Sequence, residues 1–112
     1  MMIETIVLNF MAEKLPVPVY MEFPKDPPGK FVVLKKGNSS RENYVDTSMF
    51  VADSYADSMF HAAQLNEQVV KAFDDLTDLD SVSCSMRGGD YAFPDTHNKR
   101  YRYQAVQSLT HY

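Results

Sequence analysis

Among 112 residues the chain has one cysteine, four glycines and three histidines, and no apolar run approaches the roughly 20 residues needed to span a bilayer. Each scarcity removes a class of function. Cys84 alone cannot close an internal disulfide, which suits a reducing cytoplasm. It lies between Ser83 and Ser85 on a predicted strand with no base near it in sequence, so it reads as a small packed thiol rather than a nucleophile. Gly88-Gly89 is the only glycine pair, and it lacks the following helix that a phosphate cradle needs. The opening Met1-Met-Ile-Glu-Thr-Ile has neither a basic region nor a continuous apolar stretch, which predicts no signal peptide and no membrane partner. No repeat or low-complexity segment is present. What remains is an ordinary globular composition, 45% hydrophobic, of a length that predicts one domain over residues 1–112.

Periodicity predicts an α+β fold. Ile3, Ile6, Val7, Phe10 and Met11 recur at helical spacing until Pro16 forbids continuation. Val17–Phe23 reads as an edge strand because prolines 16 and 18 are tolerated only near a strand's start or on a sheet edge. Pro24–Gly29 and Gly37–Ser40 have turn composition and flank a β-branched strand at residues 30–36, giving a hairpin. Residues 43–53 alternate with apolar side chains on both faces, which predicts an interior strand. Ser54-Tyr-Ala-Asp57 has capping-box spacing and is expected to start the longest helix, whose apolar face runs from Tyr55 through Leu76. Strands at residues 81–87 and 99–110 follow, separated by a turn at Arg87–Asp90 and a loop or ragged β arm at Tyr91–Asn98. Helix, three strands, helix and two strands imply a single mixed or antiparallel sheet of about five strands, with the helices packed mainly on one side.

Charge is segregated along the chain. The net charge is −4, yet Glu42–Asp80 holds nine acids and one base, Lys71, while the rest holds six acids and ten bases. Asp74, Asp75 and Asp78 sit toward the carboxyl end of the long helix, where the macrodipole disfavours anions. Lys99, Arg100 and Arg102 cluster on the last strand, where Gln104 and Gln107 also read as its wet side. A solvated helix end is one reading of the acids. The sharper one is a surface that meets the basic strand of a neighbouring copy, because segregated opposite charges favour heterologous contacts.

Catalytic chemistry finds no constellation. Asp90, Asp95 and His97 match no metal-loop spacing, and His61 and His111 have no evident partner in sequence. Neither enzymatic activity nor a cofactor is expected. Lys99-Arg-Tyr-Arg-Tyr103 interleaves bases and aromatics as single-stranded nucleic-acid platforms do. Alternation nonetheless puts Tyr101 and Tyr103 on one face and Arg100 and Arg102 on the other, so core-facing tyrosines with outward arginines explain it equally well.

Five stretches carry a resemblance: Met2-Ile-Glu-Thr-Ile-Val, Val17-Pro-Val-Tyr-Met-Glu, Ser40-Arg-Glu-Asn, Ser54-Tyr-Ala-Asp-Ser-Met and Lys99-Arg-Tyr-Arg-Tyr-Gln-Ala-Val. Together they resemble tail terminator proteins of long-tailed phages and prophages of Gram-positive bacteria. The resemblance implies an α+β subunit of a hexameric ring that ends tail-tube growth and docks the tail to the head. Its implied partners are further copies of itself, the tail tube protein, the head-completion or connector protein, and DNA that passes through the lumen without specific binding. Its implied location is the virion, assembled in the host bacterial cytoplasm. Alternatives are another head-tail connector component, a small nucleic-acid-binding module, or a metal-dependent enzyme using Asp90, Asp95 and His97. The expected interface takes Asp74, Asp75 and Asp78 on one subunit, Lys99, Arg100 and Arg102 on the next, and Tyr91 and Phe93 as apolar anchors.

Overall fold

The computed structural model describes residues 2–42, 45–93 and 100–111. Its elements are helix α1 (Ile3–Lys14), strands β1 (Val19–Tyr20), β2 (Phe31–Glu42) and β3 (Val45–Ala56), helix α2 (Met59–Asp74) with a 3-10 turn (Asp75–Asp78), and strands β4 (Val82–Ala92) and β5 (Tyr101–His111). The strands form one mixed sheet in the order β1-β2-β3-β5-β4. This is the α+β architecture expected from the periodicity, with β3 inside the sheet.

Both helices cover the same face. Val7 and Met11 of α1 pack with Leu65, Val69, Ala72 and Phe73 of α2 against Val32, Leu34, Phe50, Ala52, Ala105 and Leu109 of the sheet. The three buried phenylalanines and Leu34, Leu76 and Leu109 are its largest fully enclosed apolar residues apart from Met11; each phenylalanine or leucine stabilises the fold by roughly 1.5–3 kcal/mol through removal from water. Phe31 is the exception among those phenylalanines, because it belongs to a second, smaller cluster with Val33 and Tyr55 on the face that carries no helix.

Four local expectations need correction. First, Ser54 does not cap α2. β3 continues through Ala56 because Tyr55 stacks on Phe31 and stays paired to both neighbouring strands, and Ser58 takes the capping role, its hydroxyl accepting from the His61 amide at 3.1 Å. Second, β1 is two residues long and parallel to β2, with Val19 opposite Val32, so the residues around Pro24–Gly29 do not close a hairpin. Third, Gly37–Ser40 is no turn: β2 runs through it with a register shift between Lys36 and Ser39, and the hairpin partner is β3. Fourth, Arg87–Asp90 is likewise a bulge within β4, not a turn. Gly89 there adopts φ +111°, a conformation that glycine takes without a Cβ penalty.

Candidate assembly surface

Directly paired residues point to the same side of a sheet, so the register builds two rows across the helix-free face. One row is Phe31, Tyr55 and Arg102; the next is Val33, Asp53, Gln104 and Tyr91. Phe31 and Tyr55 stack with centroids 4.7 Å apart, and Phe23, from the segment entering β2, stands edge-on to both at 5.5 and 5.4 Å. The Arg102 guanidinium lies 4.3 Å from the Phe93 ring centroid and 5.8 Å from that of Tyr55. It donates to the Phe93 carbonyl at 2.8 Å and to the Tyr55 hydroxyl at 3.2 Å. Arg100 lies over Phe31 at 5.7 Å.

Asp53 anchors this cluster although it is completely buried. Its Oδ1 accepts from Gln104 Nε2 at 2.9 Å, and its Oδ2 lies 2.9 Å from Lys35 Nζ and 4.0 Å from the Arg102 guanidinium. The Tyr91 hydroxyl donates to Gln104 Oε1 and so joins the β4 edge to the same network. A buried carboxylate is tolerated only with such pairing, since desolvating an unpaired charge costs several kcal/mol.

The structure thus brings together Tyr91, Phe93, Arg100 and Arg102, four of the residues singled out from the sequence; Lys99 lies outside the described residues. The alternation of Tyr101 and Tyr103 against Arg100 and Arg102 holds, but the burial is inverted. Tyr101 is 48% exposed whereas the Arg102 side chain is 15% exposed, because the helix-free face has rings of its own in which a guanidinium can lie. Gln107 is not on the wet side either. It is buried on the helix-bearing face, donating to Ser85 Oγ at 2.8 Å and to Asp74 Oδ1 at 3.1 Å.

The acids lie on the other layer. Asp74 ends α2, and Asp75 and Asp78 bound the 3-10 turn that follows. Arg87 on β4 explains the first of them: its Nε and terminal nitrogen donate to Asp74 Oδ2 at 2.9 and 2.5 Å. The Arg87 guanidinium, helped by Gln107, holds the Asp74 carboxyl below its ordinary value of 3.8. That contact offsets the unfavourable helix dipole within the chain itself.

The histidines have partners that sequence reading missed. His61 Nδ1 lies 2.6 Å from Asp57, four residues earlier and just ahead of the Ser58 cap, and this contact lowers the Asp57 pKa. His111 Nε2 shares a 2.8 Å hydrogen bond with Ser48 Oγ at the floor of a cavity of about 430 Å³ between the start of α1 and the far end of the β2–β3 pair. Lys36 and Arg41 also line it, but they face Glu4 at 3.6 Å and Asp46 at 3.5 Å, so its charges cancel. Of the metal candidates, Asp90 accepts from Asn66 Nδ2 at 2.6 Å, while Asp95 and His97 lie outside the described residues. Among the described residues no three His, Cys, Asp or Glu side chains converge as metal ligands.

Comparison with protein-family models finds no match to this chain, and comparison with curated proteins finds none either. No described helix is long and apolar enough to cross a membrane.

Proposed function

We propose that this chain is a structural subunit of a phage particle, a tail-terminator-like protein that assembles into a ring, ends tail-tube polymerisation and docks the tail to the head connector. The observation that carries this reading is the helix-free face, where Tyr91 and Phe93, 46% and 44% exposed, flank Arg100 and Arg102 with no described helix over them. Exposed aromatics beside arginine are the composition of protein–protein anchor sites. The likeness to tail terminators in five stretches of sequence supplies the biological setting. A nucleic-acid platform is less well supported, because Arg102 already stacks on Tyr55 and Phe93 within the chain.

The test is the paired change Arg100→Glu and Tyr91→Ala in the producing phage, scored by electron microscopy of tails. Arg102 is left intact because a carboxylate in its place would face buried Asp53. The expected result is a folded protein with overlong or unjoined tails. Tails of normal length joined normally to heads would overturn the assignment.

A further inference from the structure

Among the described residues, the sheet has two edges without a neighbouring strand. Beyond Val33, no strand among the described residues pairs with the outer side of β2, and none pairs with the outer side of β4. The Val32 amide donates outward to Pro18 at 3.0 Å; because alternate amides of a strand point the same way, those of Leu34 and Lys36 also face the open edge. The Phe93 amide donates inward to Arg102 at 2.8 Å, which leaves Asp90 and Ala92 with their backbone groups directed out of the sheet.

The geometry points to head-to-tail strand addition between copies, with β4 of one chain pairing antiparallel to the open edge of β2 in the next. This deepens the assembly reading above by naming its contact. β2 and β4 run in opposite directions within the chain, so copies placed side by side with the same orientation meet antiparallel. In the register that sets Leu34 against Ala92 and Lys36 against Asp90, all four residues lie on the helix-bearing face, through their pairing with Ala52 and Phe50 on one side and with Ala105 and Tyr103 on the other. Lys36, which meets Glu4 at 3.6 Å within its own chain, then also faces Asp90, which accepts from Asn66 within its own, and the outward backbone groups of both strands meet. The bulges coincide as well. β2 has one extra residue between Lys36 and Ser39, and β4 has one between Gly89 and Arg87, so the same register resumes beyond them with Ser39 against Arg87. An edge strand is ordinarily protected by its bulge; two bulges at matched positions instead select one partner, a second copy of this chain.

The test is disulfide trapping in the full chain with Cys84→Ser. Lys36→Cys with Asp90→Cys places two thiols about 5.5 Å apart between copies at Cα, inside disulfide reach, whereas β3 and β5 separate them by roughly 14 Å within one chain. Mild oxidation is expected to give a ladder at multiples of 12.8 kDa, and Lys36→Cys with Tyr91→Cys, which point to opposite faces, is expected to give none. Ala92→Pro, which removes an outward amide and no internal ladder bond, is expected to weaken association at least tenfold with an unchanged circular-dichroism spectrum. Sedimentation as an oligomer without the first disulfide, or equal trapping by both cysteine pairs, overturns the strand addition and leaves assembly to another surface. Sedimentation at 12.8 kDa at every concentration, with no interchain disulfide, overturns both.

Discussion

Asp53 and Lys35 form an ion pair whose two members carry very different energetic weight. The Lys35 side chain is 53% exposed and that of Asp53 is fully enclosed. Removing an exposed partner typically costs ~0–1 kcal/mol, whereas removing an enclosed one strands the groups that face it and costs about 1–3 kcal/mol or more. Asp53→Ala is therefore expected to destabilise the protein clearly more than Lys35→Ala in urea unfolding, since it leaves Gln104 and Arg102 without their carboxylate. Asp74 gives a prediction in pH. Its pKa is lower folded than unfolded, so its contribution is present above the ordinary 3.8 and is lost as pH falls through the folded value. Asp74→Asn should thus lower the melting temperature at pH 7, with the difference from the parent protein shrinking as the pH is taken below 4. A constant difference across that range would exclude the Arg87 contact as its source.

At the scale of elements, the two serines before α2 separate capping from mere proximity. Ser58→Ala should cost about 1 kcal/mol in unfolding free energy through loss of the His61 amide bond. Ser54→Ala should be neutral or slightly stabilising, because the buried Ser54 hydroxyl has no hydrogen-bond partner among the described residues. Gly89→Ala tests the β4 bulge. A Cβ there meets open space, so the cost, about 1–2 kcal/mol, comes from φ +111° alone. These elements also mark how far the sequence could be read. Apolar spacing located α1, α2 and the interior strand, since periodicity reports which face a local segment buries. Turn composition misled at Gly37–Ser40 and Arg87–Asp90, because Gly, Asn and Asp serve a bulge as readily as a turn, and the choice is made by the strand alongside. Ser54 misled for the same reason: its cap spacing was genuine, but pairing of Tyr55 with Phe31 and Arg102 held the strand open two residues further. At the surface, the basic residues of β5 were legible as a cluster, while burial of Asp53 depends on Lys35, Arg102 and Gln104, which are 18 to 51 residues away in sequence and invisible to any local pattern.

For the whole molecule, both helices and four of the five strands contribute buried residues to the main core and Val19 of β1 packs against it, with Phe73 fully buried where α2 meets the sheet. Phe73→Ala is expected to cost about 3–5 kcal/mol, a large fraction of the 5–15 kcal/mol that a domain of this kind typically possesses. Unfolding followed by fluorescence and by circular dichroism should remain one coincident transition at a lower midpoint. Separate transitions would mean that the helix-free cluster of Phe31, Val33 and Tyr55 is an independent unit. The sheet order has a further consequence, for the time course of synthesis. β5 is made after both β3 and β4, yet it sits between them and pairs with both. Until residues 101–111 leave the ribosome, β4 has no neighbour and β3 has one, and contacts such as Asp46 with His111 span 65 residues of chain. Nascent chains must therefore wait with β3 half paired and much of the apolar floor beneath α2 uncovered, the situation in which slow, non-local strand pairing leaves a protein most open to capture by chaperones or by its own kind.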